Sequence, residues 1–314
     1  MEKMRRKEAV KVTAEQVKAG RYIPGSLDCE GDIEVAEGLG EVRFTSLKAS
    51  GNIFAGGDTS ISCDEGIKAG LGIQVGGSIE AGGKIVASWD IKAGRDIKAS
   101  SYIRAGGGIQ AGRDIKASSY LEAGGEILAG GEIQAGRYLE AGGEIQAGRG
   151  IEAGFEIQAG RYIKAGDNIK ASDDILAGWY LVAGKGILAG GRIQAGGEIL
   201  AGGGIEAGEG IRAGGEIRAG REIRAGGDIE ASREIKAGAD IVAGTGIQAG
   251  FGITASGDIK AGLSVFAGLV SYRKPSSSEM EIRCRRLTSG EVAYGTLIEK
   301  EEAETPLTGG SVQG

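Results

Sequence analysis

The 314-residue chain contains no histidine, only three prolines and only three cysteines. Without histidine, catalytic triads with an imidazole base and metal sites with imidazole ligands are excluded. The cysteines, Cys29, Cys63 and Cys284, are too few and too widely spaced for a disulfide framework or a zinc site. So little proline also excludes a collagen-like chain. We therefore expect no enzymatic activity, no cofactor and no metal site.

The chain also lacks a strong excess of charge of either sign, and it lacks long apolar runs. Lys and Arg number 37 against 43 Asp and Glu, which gives a net charge of -6. Nucleic-acid binding normally requires a basic surface, so no nucleic-acid partner is expected. No apolar run approaches the ~20 residues of a membrane span, and the opening MEKMRRKEAVKV lacks the apolar centre of a signal peptide. The sequence favours a cytoplasmic protein without a transmembrane segment.

Glycine, in contrast, accounts for 62 residues and recurs with a fixed period. From Ile61 to Val265 every sixth residue is aliphatic; Ala usually follows two positions later, and Gly or Ser three positions later. This period does not match a helix of 3.6 residues per turn, and each helical Gly would cost about 1 kcal/mol. A short strand fits, because residues two apart point to the same side. Each hexad therefore predicts one inward-facing Ile and Ala pair, followed by a corner that requires a small residue.

The outward residues reveal a longer, 18-residue period. Tyr102, Tyr120 and Tyr138 are spaced by 18, and Trp89 and Trp179 lie 90 residues apart, a multiple of 18. One such period comprises three hexads. The sequence thus predicts an all-β fold, a three-sided parallel β-helix (β-solenoid) with an 18-residue coil and a dry core of stacked Ile and Ala.

The ends of the chain depart from the repeat. Residues 17–20 match the hexad, and the steps that follow them are uneven. After the last hexad, residues 281–285 and 291–298 read as two strands around a turn, which predicts a C-terminal β-hairpin that caps the last coil. The predicted organisation is a leader or cap (1–16), irregular first coils (17–60), a regular solenoid (61–268), a β-hairpin cap or interaction module (269–298) and a disordered tail (299–314).

The hexads GDIKAG (257–262) and RDIKAS (95–100) resemble those of bactofilins, bacterial cytoskeletal proteins. The resemblance covers roughly residues 17–268. It implies a right-handed triangular β-helix and end-on polymerisation into non-polar filaments without nucleotide. The chain differs from that family in its greater length, its greater regularity and its C-terminal hairpin-like segment, which would oppose end-to-end growth.

Three functions fit these observations. The first is a non-catalytic structural rod or scaffold that self-assembles, with a second copy as its partner. The second is a rigid protein-binding module or inhibitor of the phage or plasmid type, because exposed aromatic residues are favoured at protein interfaces. The third is an element of a phage tail fibre or an adhesin. The candidate interaction surface consists of the aromatic residues predicted to face outward, Trp89, Tyr102, Tyr120, Tyr138 and Trp179.

Overall fold

The computed structural model describes residues 9–22, 25–270 and 273–300, and it is an all-β parallel solenoid. About 15 turns of roughly 18 residues each confirm the predicted fold class. Every regular strand has three residues and begins six residues after the previous one, from Ile67–Ala69 to Ile253–Ala255. The remaining strands are Val10–Val12, Val17–Lys18, Arg21–Tyr22, Leu27–Cys29, Ile33–Val35, Glu41–Phe44, Leu47–Ala49, Ile53–Ala55, Ser60–Cys63, Ile259–Ala267, Glu281–Cys284, Leu287–Tyr294 and Thr296–Glu299, and the 3-10 helices are Ala14–Gln16 and Ser277–Met280.

Successive strands occupy three faces in rotation. We name these faces A, B and C after the strands Ile91–Ala93, Ile97–Ala99 and Ile103–Ala105, respectively. Each regular strand pairs in parallel with the third strand after it along the chain, as Ile91 does with Ile109. Face A contains 16 strands, so the rod is about 70 Å long at ~4.8 Å per layer.

The interior is a ladder of aliphatic residues beside a ladder of alanines. Ile91, Ile109 and Ile127 are completely buried, and Ala147 is 3% exposed. The residue between Ile and Ala on each strand points outward and is exposed or half-buried throughout the regular coils. The predicted sidedness of the hexad is confirmed.

The corner glycine is required for its small size. A Cβ on Gly112 would collide with the carbonyl oxygen of Gly94 in the previous coil. Of the glycines at this hexad position, only the last, Gly268, has a positive φ. Glycine thus relieves a close approach of two backbones here, and because the backbone is not left-handed, no unfavourable φ excludes the Ser that occupies this position in six hexads.

Short polar residues directly before the aliphatic residue form a second set of contacts between coils, which the sequence analysis missed. The Asp96 carboxylate accepts the backbone N–H of Asp114 at 3.1 Å, and Asp114 accepts that of Glu132 at 2.9 Å. The Asn168 and Asp228 side chains likewise accept hydrogen bonds from the backbone N–H groups of the next coil, those of Gly186 and Gly246, respectively. These short polar side chains satisfy corner N–H groups that would otherwise depend on water.

The N-terminal coils differ from their prediction. Residues 17–20, which were expected to form a hexad, belong instead to a hairpin in which Val17–Lys18 pairs antiparallel with Arg21–Tyr22. Its two turn residues, Ala19 and Gly20, both have a positive φ, as a tight hairpin requires. The solenoid also begins before residue 17, because Val10–Val12 already pairs with Ile33–Val35. Residues 1–8 of the predicted leader lie outside the described residues.

The predicted C-terminal hairpin is wrong. Glu281–Cys284 pairs in parallel with Ile253–Ala255, and Leu287–Tyr294 pairs in parallel with Ile259–Ala267. Thr296–Glu299 then pairs in parallel with Glu281–Cys284. An alternating pattern is the same in a hairpin strand and in a coil strand, and here the chain turns to the next face instead of reversing. Glu299 therefore ends a strand, and the predicted tail from residue 301 on lies outside the described residues.

Candidate interaction surfaces

The exposed aromatic residues lie on two corners of the solenoid. Tyr102 stands where face B meets face C, and we call this edge the Tyr corner. Trp89 stands where face C meets face A, and we call this edge the Trp corner. Both corners flank face C, so the aromatic residues that the sequence singled out lie along its two edges.

At the Tyr corner, two predicted residues stack as expected. The rings of Tyr102 and Tyr120 are 4.4 Å apart and nearly parallel. The Arg104 guanidinium lies over both rings, at 5.8 and 5.4 Å, and it also pairs with Glu122 at 2.8 Å. Burial, followed by the neighbouring Tyr102, raises the pKa of Tyr120. This part of the corner therefore already has cationic partners within the chain.

Tyr138 does not continue the stack. Its ring packs instead against Phe155, with centroids 5.6 Å apart. Arg137 lies over both of these rings, at 5.7 and 5.5 Å. Among the described residues no ring contact joins Tyr120 to Tyr138, so the predicted ladder of three is two separate pairs.

The Trp corner carries the most exposed large aromatic side chains. Trp89 is 62% exposed and Trp179 is 55% exposed. Arg161 lies over the Trp179 ring at 5.4 Å, and Tyr180 beside Trp179 is 47% exposed. Leaving such rings in water forfeits the hydrophobic gain of burying them. This corner is therefore the stronger candidate for contact with another molecule.

Sequence reasoning missed Phe155, Tyr180, Arg137 and Arg161 as members of these surfaces. The signal was present, because each of them shares an 18-residue column with a predicted aromatic residue or lies in the column beside it. Val182 and Leu200 add outward aliphatic side chains next to the Trp corner on face A, where they pair across adjacent coils.

Few polar groups are buried. Within the described ranges, Thr59 and Ser62 are the buried polar residues, and Ser62 donates a hydrogen bond to Glu41. Burial raises the pKa of the Cys63 thiol to about 12. Across the same residues, no cluster of three or more acidic, Cys or His side chains could hold a metal ion.

No helix within the described residues has the length and apolar character needed to span a membrane. Comparison with models of known protein families, with curated proteins and with solved structures found no match.

Proposed function

We propose that the chain is a non-catalytic structural rod that pairs end to end with a second copy through its C-terminal coil. The β-solenoid fold fits a repeat scaffold. The resemblance to bactofilins in the hexads supports contact between like ends, because that family forms non-polar filaments. The C-terminal strands add support, because they extend the solenoid instead of capping it.

One observation carries this proposal. Leu297 occupies the inward position directly above Ile282, yet Leu297 is 36% exposed whereas Ile282 is completely buried. At outward-facing positions of the same coil, Ile298 and Tyr294 add apolar surface, since they are 39% and 41% exposed. Within the described residues the core thus ends on a coil whose inward side chain, Leu297, is covered on one side only, next to strand edges that no described strand pairs.

The N-terminal end is built differently. Tyr22 of the hairpin is 4% exposed, and its ring packs on Phe44 at 5.0 Å. Val12 in the outermost strand of face A is completely buried. Because this end has covered its apolar residues, pairing through the C-terminal coil alone yields a double-length rod.

Analytical ultracentrifugation and negative-stain microscopy test this proposal. We expect rods at least about 140 Å long, twice the length of one copy at ~4.8 Å per layer. The Leu297→Asp variant should return them to single length. The matched control is Gln146→Asp, which adds the same charge at an exposed position on face A. Single-length rods at high protein concentration, or double-length rods in Leu297→Asp, would contradict the proposal.

The exposure of Trp89 and Trp179 favours a second candidate function, a rigid protein-binding module. In that case the Trp corner acts as a preformed surface, since the strands beneath it cannot move without breaking the ladder. Replacing both Trp residues with Ala should then abolish partner binding without changing the melting temperature.

A further inference from the structure

The arrangement of large and small residues along the Trp corner is self-complementary. Two columns of residues run along this corner, each residue lying one coil above the previous one. The outer column runs Trp89, Gly107, Gly125, Gly143, Arg161, Trp179. The inner column runs Asp90, Gly108, Glu126, Glu144, Tyr162, Tyr180. In this stretch Arg161, Tyr162, Trp179 and Tyr180 are large residues on the C-terminal side, and glycines predominate on the other side apart from Trp89.

We propose that two copies of the chain pair side by side and antiparallel along their Trp corners. A two-fold axis perpendicular to the rods, level with the midpoint between Gly125 and Gly143, places each column opposite the same column of the other copy. Trp89 then meets Trp179 of the second copy, and this contact occurs twice. The two contacts are about 24 Å apart, since five coils separate the two residues at ~4.8 Å each.

Between these contacts, large side chains meet glycines. The axis places Arg161 opposite Gly107 and Tyr162 opposite Gly108. One coil beyond the contact between Trp89 and Trp179, Leu71 of one copy lies opposite Gly197 of the other. Asp90 faces Tyr180, which puts a carboxylate within reach of a phenol hydroxyl donor. Shape complementarity of this kind distinguishes specific interfaces from accidental contacts.

The same axis gives the pair a defined overlap. It lies between the seventh and eighth of the 16 strands on face A, Ile127–Ala129 and Ile145–Ala147. The first 14 layers of each copy therefore lie alongside 14 layers of the other. The last two layers, Glu281–Cys284 and Thr296–Glu299, extend past the partner. Side-by-side pairing thus leaves one C-terminal coil free at each end of the pair. The end-to-end contact alone joins two copies, whereas both contacts together extend the rods into a filament.

The centre of the contact is acidic. Glu126 faces Glu144 of the second copy, so four carboxylates gather around the axis. Within the described chain neither residue forms an ion pair, and Glu144 accepts a hydrogen bond from Tyr162, which raises the Tyr162 pKa. Like charges at close range repel, and salt screens exposed charges. The pair should therefore tighten as ionic strength rises, whereas a pair held by salt bridges would loosen.

Sedimentation equilibrium tests the pairing in a Leu297→Asp background, so that end-to-end contact cannot contribute. The dissociation constant should rise at least tenfold in Trp179→Ala and in Trp89→Ala, because each residue acts at two equivalent contacts. It should fall in Glu126→Gln and at higher salt. The matched control is Tyr120→Ala, which removes an aromatic residue from the other corner and should leave the constant unchanged. A monomer at all concentrations, or equal effects of Trp179→Ala and Tyr120→Ala, would overturn the proposal.

Pulsed electron spin resonance tests the direction of pairing. A single label at Gln248→Cys, in a chain that also carries Leu297→Asp and Cys29→Ser, reports the distance between the two copies of the side-by-side pair; Cys63 and Cys284 are buried. The antiparallel pair predicts a separation of about 60 Å along the rods, because about 12 layers lie between the labels. A distance under about 35 Å would mean parallel pairing and would overturn the proposal.

Discussion

The N-terminal end of the solenoid closes with an antiparallel hairpin, whereas the last described coil at the C-terminal end is parallel and still exposes apolar residues. Tyr22 in the hairpin is 4% exposed, and Leu297 in the last coil is 36% exposed. The difference shows that regular coils provide no stopping point of their own. Each coil ends on the edges and apolar surface that the next coil would cover. Closure requires a segment that abandons the repeat, and only the N-terminal segment does so among the described residues.

Removing core volume in the middle and at the C-terminal end should give the largest contrast. Ile127→Ala should lower the free energy of unfolding by about 2–5 kcal/mol, because neighbouring coils hold the cavity open on both sides. Leu297→Ala should cost less than about 1.5 kcal/mol, because that side chain is already partly in water. Urea denaturation of both variants, under conditions where each is monomeric, checks the difference. Equal losses would mean that the C-terminal coil is as closed as the middle.

Adding volume to the interior should be nearly as disruptive as removing it. Ala147→Leu places a larger side chain in a narrow, fully packed column and should destabilise the rod by about 1–3 kcal/mol. Gln146→Leu, one residue earlier on the same strand, faces solvent and should change stability by under about 0.5 kcal/mol. Thermal unfolding by circular dichroism compares them. Similar melting temperatures would contradict the assignment of inside and outside.

Acid should loosen the C-terminal segment. Hydrogen bonds from Arg285 lower the pKa of Asp258, and those from Arg273 lower the pKa of Glu279 to about 2. Because these folded-state pKa values lie below the unfolded ones, the contacts contribute full stability above about pH 4.5 and lose it as the pH falls towards 2. Hydrogen exchange of residues 281–299, corrected for intrinsic rates, should therefore accelerate over that range.

Single substitutions separate the terminal coils from the middle of the rod in this acid response. Asp258→Asn should produce faster exchange in the C-terminal coil already at pH 6, while Asp173→Asn in the middle of the rod should not. At the N-terminal end, hydrogen bonds from Arg43 lower the pKa of Asp64, which also pairs with Arg21 of the hairpin. Acid should accelerate exchange in the hairpin as well. Exchange at both ends that does not respond to acid would show that these ion pairs do not hold the terminal segments.

The smallest expected effect lies in the hairpin turn. Ala19 is the one described residue other than glycine with a positive φ, at 52°. Ala19→Gly should relieve that strain, at most by about 1 kcal/mol, because Gly also gains entropy in the unfolded chain. Gly20→Ala should have the opposite sign, because its φ is 73° and its Cβ would lie 3.2 Å from the Glu41 carbonyl oxygen. Exchange rates in residues 17–22 measure both changes.

The sequence was sufficient for the regular coils because the same six-residue pattern specifies strand, side and corner at once. Ile127 and Ala147 could be placed in the core from spacing alone. The strands at the two ends could not be placed from spacing, because their pairing depends on where the chain turns. Ala19-Gly20 supports a hairpin only because two positive φ values follow one another, and an alternating segment such as Glu281–Cys284 fits a hairpin and a coil equally well.

The candidate surface was only partly predictable. The 18-residue spacing correctly stacked Tyr102 on Tyr120, because columns follow directly from coil length. It did not show that Tyr138 turns to Phe155, because that choice depends on side-chain rotation and on the neighbouring Arg137. The exposure of Trp89 could not be predicted from the spacing either. Trp89 is exposed because glycines lie above it in its column, and their effect appears only when the coils are stacked.

The three-hexad coil is tested most directly by one distance. Spin labels at Gln110→Cys and Arg218→Cys, in a monomeric Cys29→Ser background, lie in one outward column on face A. Residues 110 and 218 are separated by six coils, which predicts about 29 Å at ~4.8 Å per layer. A distance near ~43 Å would correspond to two hexads per coil at the same layer spacing, and it would contradict the three-sided solenoid on which every other inference rests.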